Sequence, residues 1–161
     1  MTQRRPHLVV VVGIPGSGKT TYARRLQARC RAMRLVSPDL IRDQLYPGYE
    51  QGLVDHRQVN HRRIFDLAYQ EVAAALAAGE DVIFDATNLT VSRRRGLLRL
   101  AQEHGAIPIA HYFPISLPLA FARNAGRARR VPNSAIARMH VLLQPPTRAE
   151  GFARVVAHPQ G

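Results

Sequence analysis

The sequence predicts an α/β fold, a three-layer sandwich with a central parallel five-stranded sheet, and two observations predict it. Short apolar runs alternate with longer segments of helical periodicity along the whole 161-residue chain, the order that lays helices over both faces of a parallel sheet. The first run, His7-Leu8-Val9-Val10-Val11-Val12, is β-branched and passes through a glycine-rich turn directly into a helical pattern. Strand, tight turn, helix is the opening unit of such folds.

The elements follow in order. After the 7–12 strand, Thr21 to Arg31 carries Tyr22, Ala23, Leu26 and Cys30 at helical spacing. Met33-Arg34-Leu35-Val36 reads as a second strand, ended by Ser37-Pro38-Asp39. Pro38 restricts Ser37 to an extended conformation, and Asp39 suits the first turn of a helix running to Leu45. Tyr46-Pro47-Gly48 stops that helix, and Tyr49 to Asp55 is loop-like. His56 to Ala78 is a long helical pattern closed by Gly79, and Asp81 to Phe84 is a third strand ending at Asp85. A helix over 92–104 ends at Gly105, and Ala106 to Phe113 is a fourth strand. Leu117 to Arg123 is helical, 123–132 is arginine-rich without apolar periodicity, and Asn133 is placed to cap a helix through Leu143. Gly151 to Ala157 completes the sheet. No repeat or linker divides the chain, so residues 1–161 read as one domain.

The turn after the first strand is Gly13-Ile14-Pro15-Gly16-Ser17-Gly18-Lys19-Thr20. It fits G-x-x-x-x-G-K-[ST], the loop that holds the phosphates of a nucleoside triphosphate. Glycines let consecutive N–H groups close on phosphate oxygens, and the following helix adds the positive end of its dipole. Gly13, Pro15, Gly16, Ser17, Gly18, Lys19, Thr20 and Thr21 are therefore the expected nucleotide contacts. Lys19 reaches the terminal phosphates, and the Thr20 hydroxyl is a Mg²⁺ ligand.

Composition narrows the partners. Cys30 is the only cysteine, which excludes an internal disulfide and a cysteine-based zinc cluster. No apolar run approaches the ~20 residues that span a bilayer. The first apolar run ends in the phosphate loop rather than at a small-residue cleavage site, so the expectation is a cytoplasmic protein without a secretory leader. The 23 Lys and Arg residues outnumber 11 Asp and Glu, a formal charge of +12, and every cation except Lys19 is an arginine. The arginine bias fits a GC-rich genome; the net excess points to a polyanion, nucleic acid before membrane, with a merely basic solvated surface as the plain alternative.

In parallel sheets, ligands bind beyond the carboxyl ends of the strands. That rule selects Asp39 after the second strand and Asp85 after the third. Asp85 is expected near Mg²⁺ beside Thr20; alternatively it opens a loop and accepts from the Thr87 or Asn88 backbone. Asp39 and Arg42 share a helical face. The carboxylate can take a proton from an acceptor hydroxyl while the arginine neutralises a phosphate, or the two form only an ion pair. Arg123 and Arg127 lie in the unpatterned segment, suited to a lid that brings positive charge to a transferring phosphoryl group, or simply to a solvated loop. Arg62, Arg63, Arg93, Arg94, Arg95 and Arg99 read as mostly surface residues. The histidines lack metal-ligand spacing.

Together these motifs resemble the polynucleotide 5′-hydroxyl kinases, whose kinase domains are AAA-type, P-loop kinase-like ATPases. Gly13 to Thr20 resembles the nucleotide loop, Asp39-x-x-Arg42 the acceptor motif, and Asp85-Ala86-Thr87-Asn88 the sequence after the third strand. Arg123-Asn124 with Arg127 is similar to the lid, Val131-Pro132 to the dipeptide before the next helix, and Pro146 to Phe152 to the closing Pro-x-x-x-Glu-Gly-Phe. The resemblance implies a P-loop kinase-like fold with an arginine-rich lid, using ATP and Mg²⁺. It implies Asp39 as general base toward a 5′-hydroxyl of DNA or RNA, and Arg42 on the acceptor phosphate. Asp85, Thr87 and Asn88 would lie at the acceptor, and Arg123 and Arg127 at the nucleotide, Arg127 stabilising the transferring phosphate. The loop ends in Lys-Thr where many members have Lys-Ser. A small-molecule kinase of a nucleoside, sugar or antibiotic shares this frame, and so does a nucleotide-binding regulatory domain without transfer.

Overall fold

The computed structural model describes residues 2–160; Met1 and Gly161, the ends of the expected 1–161 domain, lie outside them. Strands β1 (His7–Val12), β2 (Arg34–Val36), β3 (Val82–Phe84), β4 (Ile107–Tyr112) and β5 (Arg154–Ala157) form one sheet in the order β2-β3-β1-β4-β5. Every pairing is parallel, with Val10 opposite Phe84 on one side and Ala110 on the other. All strand carboxyl ends therefore open on one edge.

Helices α1 (Lys19–Arg29), α2 (Pro38–Leu45), α3 (His61–Ala77), α4 (Val91–Glu103), α5 (Leu117–Ala125) and α6 (Asn133–Leu142) cover the sheet and its upper edge. Because side chains alternate along a strand, β1 serves two cores. Leu8, Val10 and Val12 pack with Ala68 and Val72 of α3 and Leu97 and Ala101 of α4. Val9 and Val11 pack with Ala23, Met33 and Phe113 on the α1 side. A third cluster of Ile14, Leu89, Ala120 and Ile136 joins the phosphate loop to α5 and α6. This is the three-layer α/β sandwich the alternating pattern predicts.

Four boundaries differ from expectation. The long helix begins at His61 rather than His56: residues His56–Gln58 form a 3₁₀ turn, and the Asn60 side chain accepts from Arg63 N at 3.0 Å, so an asparagine cap stops the helix short of the periodic pattern. Asn133 does not cap α6; Pro132 holds that position, and Asn133 Oδ1 accepts from Asn124 Nδ2 at 3.3 Å. Cys30 is exposed just past the end of α1 instead of on its buried face. The last strand starts at Arg154, because 148–150 is a 3₁₀ turn closed by a Thr147–Glu150 capping box.

Candidate active site

The phosphate loop keeps its shape through two glycines. Gly16 and Gly18 have φ of +86° and +90°, where an L side chain is strained. A Cβ on Gly16 would meet Ala120 O at 3.2 Å, so this glycine also lets α5 close on the loop. Gly18 supplies no side-chain cap to α1, which leaves the first N–H groups of that helix free for an anion.

Gly16, Gly18, Lys19, Thr20, Thr21, Arg123 and Arg127 line a cleft of about 410 Å³. The loop residues Gly13, Pro15 and Ser17 are buried and do not line it. Gly13 is fixed by packing, since a Cβ there would sit 2.5 Å from Ser17 Oγ. The Ser17 hydroxyl is fully buried and has no hydrogen-bond partner among the described residues. The cleft is thus lined by the exposed front of the loop and not by the residues beneath it.

Beside this cleft lies a cavity of about 140 Å³ in which both halves of the expected site meet. Lys19, Thr20 and Asp85 form one wall and Asp39 and Arg42 another, with His61, Phe65 and Thr87 completing it. The Thr20 hydroxyl donates to Asp85 Oδ1 at 3.4 Å, so Asp85 turns toward the loop rather than onto the Thr87 or Asn88 backbone. Burial pushes the Asp85 carboxyl above its ordinary range, against the pull of Lys19 and the Thr20 hydroxyl. Burial likewise pushes the Lys19 ammonium down, opposed by Asp85 and Asp39 and reinforced by Arg127. Each group thus loses more to desolvation than its neighbours return. Hard oxygen donors at Thr20 and Asp85 beside a glycine cradle suit Mg²⁺ and a polyphosphate.

Asp39 is exposed at the start of α2, and Arg42 Nη1 donates to its Oδ1 at 2.9 Å. The ion pair is real, and it is part of a larger arrangement. The Arg42 side chain is only 9% exposed, lies 3.1 Å from Asp43 and 3.8 Å from Glu50, and stacks 4.3 Å over the Tyr49 ring. Arg129 approaches the same ring at 5.1 Å and donates to Glu50 Oε1 at 2.9 Å. The arginine-rich segment between α5 and α6 is thereby tied to the 46–55 loop beside Arg42. Its base is held by buried Asn124, which donates to Val131 O at 2.6 Å and accepts from Val131 N at 3.0 Å. Arg123 Nη1 donates to Gly16 O at 3.1 Å and to Gln160 Oε1 at 3.0 Å.

Asn88, expected at the acceptor, lines a cavity on the Thr87 side of the site, while its side-chain amide is committed to backbone: Nδ2 donates to Val11 O at 2.7 Å and to Ala86 O at 3.3 Å, with φ +48°. It shapes the loop after β3, whose Thr87 O accepts from Gly13 N at 3.1 Å. Arg94, read as surface, is fully buried; it forms a bidentate pair with Glu150 at 2.8 and 3.0 Å and donates to Asn88 O at 2.8 Å. Glu150 belongs to the closing motif, so that motif and the loop after β3 are one support. Sequence reasoning also missed Tyr49, Glu50, His61, Phe65 and Gln160. Only Phe65 carried a signal, as a large apolar residue at a position adjacent to the buried stripe of α3.

The model of the AAA domain family matches residues 8–146. The chain is 25% identical over 137 residues to L-seryl-tRNA(Sec) kinase of Methanococcus maripaludis, covering 83% of this chain and 51% of that protein. It is 26% identical over 133 residues to a protein of Autographa californica nuclear polyhedrosis virus to which a bifunctional polynucleotide kinase/RNA ligase role is ascribed, covering 78% of this chain and 19% of the viral one. Among solved structures, the Pnkp1/Rnl/Hen1 RNA repair complex contains a chain that superposes with a TM-score of 0.75 and 26% identity, over 89% of this chain and 45% of that one. The chain thus spans about half, or less, of the length of these relatives. With strand order, phosphate loop and 139-residue match in agreement (8 to 146 inclusive), the chain belongs to the AAA domain family and has a P-loop kinase-like fold.

Proposed function

We propose that the chain transfers the γ-phosphate of ATP to the 5′-hydroxyl of a DNA or RNA end. The observation that carries this reading is the shared cavity in which Lys19, Thr20 and Asp85 face Asp39 and Arg42. A domain that only binds nucleotide needs the first group and has no use for the second. Asp39 is the one carboxylate of the set that is exposed to an incoming hydroxyl. The relatives named for kinase or repair roles on RNA or polynucleotides, and the formal charge of +12, support a nucleic-acid acceptor over a small neutral alcohol.

Asp39 would accept the proton of the 5′-hydroxyl as its oxygen attacks the γ-phosphorus. The bond from that phosphorus to the β,γ-bridging oxygen then breaks, leaving ADP and a 5′-phosphate. Arg42 holds Asp39 in place and, as a cation lining the same cavity, would meet the acceptor phosphate. Lys19 holds the β- and γ-phosphates, and Arg127 brings positive charge to the transferring group. Arg123, bonded to Gly16 O and lining the same cleft, would lie against the nucleotide. Thr20 and Asp85 would hold Mg²⁺, which when bound neutralises charge on the phosphate oxygens.

The test incubates the protein with γ-labelled ATP and Mg²⁺, offering 5′-hydroxyl oligonucleotides of DNA and RNA beside small alcohols. Label on the oligonucleotides is the expected result. Label confined to a nucleoside, sugar or other small alcohol overturns the acceptor, and tight ATP binding without label anywhere overturns transfer itself.

A further inference from the structure

Next to the phosphoryl-transfer cavity lies a second, larger one of about 520 Å³, and none of the described residues lining it is acidic. We propose that it holds the base of the acceptor's terminal nucleotide, stacked on Phe65, with Arg62 and Arg93 taking the phosphates that follow. The inference rests on the acceptor reading above and adds to it a base-binding site.

Three observations support it. First, the wall of the cavity is a row of rings: His61, Phe65 and Tyr69 are spaced four apart on α3 and so stand along one face. Phe65 is 38% exposed, although Ile64, Ala68 and Val72 of the same helix bury fully or nearly so. Its ring meets Tyr69 edge-on at 6.3 Å, and Tyr69 is braced in turn by Phe84 at 5.8 Å and by donating to Arg93 O at 3.4 Å. The platform is rigid without being covered. Second, the cavity is continuous with the reaction site: His61, Phe65 and Thr87 line both. The base on C1′ of the sugar whose C5′ bears the reacting hydroxyl is within one nucleoside's length of the reaction site, and the cavity's volume accommodates one flat ligand. Third, Arg62 of α3 and Arg93 of α4 both line it, two positive charges that favour an anionic chain over a sugar or an amino acid. Base-on-aromatic stacking tolerates any base, as an end-modifying enzyme requires.

The test compares two 5′-hydroxyl oligonucleotides, one intact and one with an abasic first nucleotide, which keeps the hydroxyl, the sugar and every phosphate. Binding is read by anisotropy of a 3′ fluorophore and transfer by KM. Removal of the base should weaken binding and raise KM about tenfold or more in the unmodified protein. Phe65→Ala should abolish that difference by weakening only the intact oligonucleotide. Phe65→Leu, which keeps apolar volume, should recover little, and Phe65→Tyr most of it. Arg62→Ala and Arg93→Ala should each lower the slope of log affinity against log salt by about 0.7. Equal affinity with and without the base overturns the stacking site even when label is transferred. Base-dependent binding without transfer to the oligonucleotide upholds the site and overturns the 5′-hydroxyl acceptor reading, while absence of oligonucleotide binding overturns both.

Discussion

Arg94 shows how one buried charge supports chemistry it never touches. Its guanidinium is satisfied by both Glu150 oxygens and by the Asn88 carbonyl, and Glu150 Oε2 also accepts from Thr147 N at 2.8 Å. Glu150→Gln leaves a cation buried without its counter-charge, at a cost of about 3–5 kcal/mol. Urea unfolding should read that loss, and Arg94→Met paired with Glu150→Leu should recover much of it. An unchanged midpoint in Glu150→Gln would refute the support role. Asp39 lies on the other side of the distinction, exposed and bonded only to Arg42 in the described contacts. Asp39→Asn should leave folding and ATP affinity intact while lowering kcat by about 10²–10⁴-fold, the range of general-base catalysis. Near-normal turnover would remove the base assignment.

At the scale of elements, the arginine-rich segment between α5 and α6 is held at its base and carries charge into the cleft. Asn124 fixes the base to Val131, and Arg127 lines the nucleotide cleft. Arg127→Ala should reduce kcat about a hundredfold with little change in ATP affinity, the pattern expected of charge placed on a transition state. A pure affinity defect would assign Arg127 to ground-state binding instead. The other edge of the sheet carries an acid-sensitive seam. His111 on β4 and His158 after β5 meet at 2.7 Å, with Tyr22 and Phe113 against them. Burial, with His158 and Arg154 nearby, lowers His111 to about 4. Because the unfolded imidazole titrates near 6.5, the unfolded chain binds more protons between about 4 and 6.5. This histidine's contribution to stability is therefore complete above about 6.5 and declines as pH falls toward 4. His111→Phe should flatten that acid limb in urea midpoints measured across the range.

At the scale of the whole molecule, the +12 charge and the reach of the cleft belong together: an extended basic surface suits an acceptor with many phosphates. Among the described residues no helix is long and apolar enough to cross a membrane. Much of this was legible in the sequence because the signals are local. Apolar runs such as 8–12 announce strands, the G-x-x-x-x-G-K-T spacing announces a phosphate loop, and the Ser37-Pro38-Asp39 start of α2 announces itself through its cap. The rest depended on pairs distant in sequence. Arg94 meets Glu150 across 56 positions and Arg129 meets Glu50 across 79, so neither an inward-facing arginine nor a tied arginine-rich segment follows from composition. Asn88 is expected at the acceptor from its neighbours in sequence, and only the fold shows that its amide is held by Val11 O. Phe65 falls within the helical pattern of 56–78, and only the space beside α3 shows that its ring is left partly uncovered. The sequence by itself determined the order of strands and helices and the donor half of the site, since periodicity and loop chemistry act within a few residues. The tertiary structure alone decided which charges are buried and what lies beside the cavity, because burial is set by what the fold brings together.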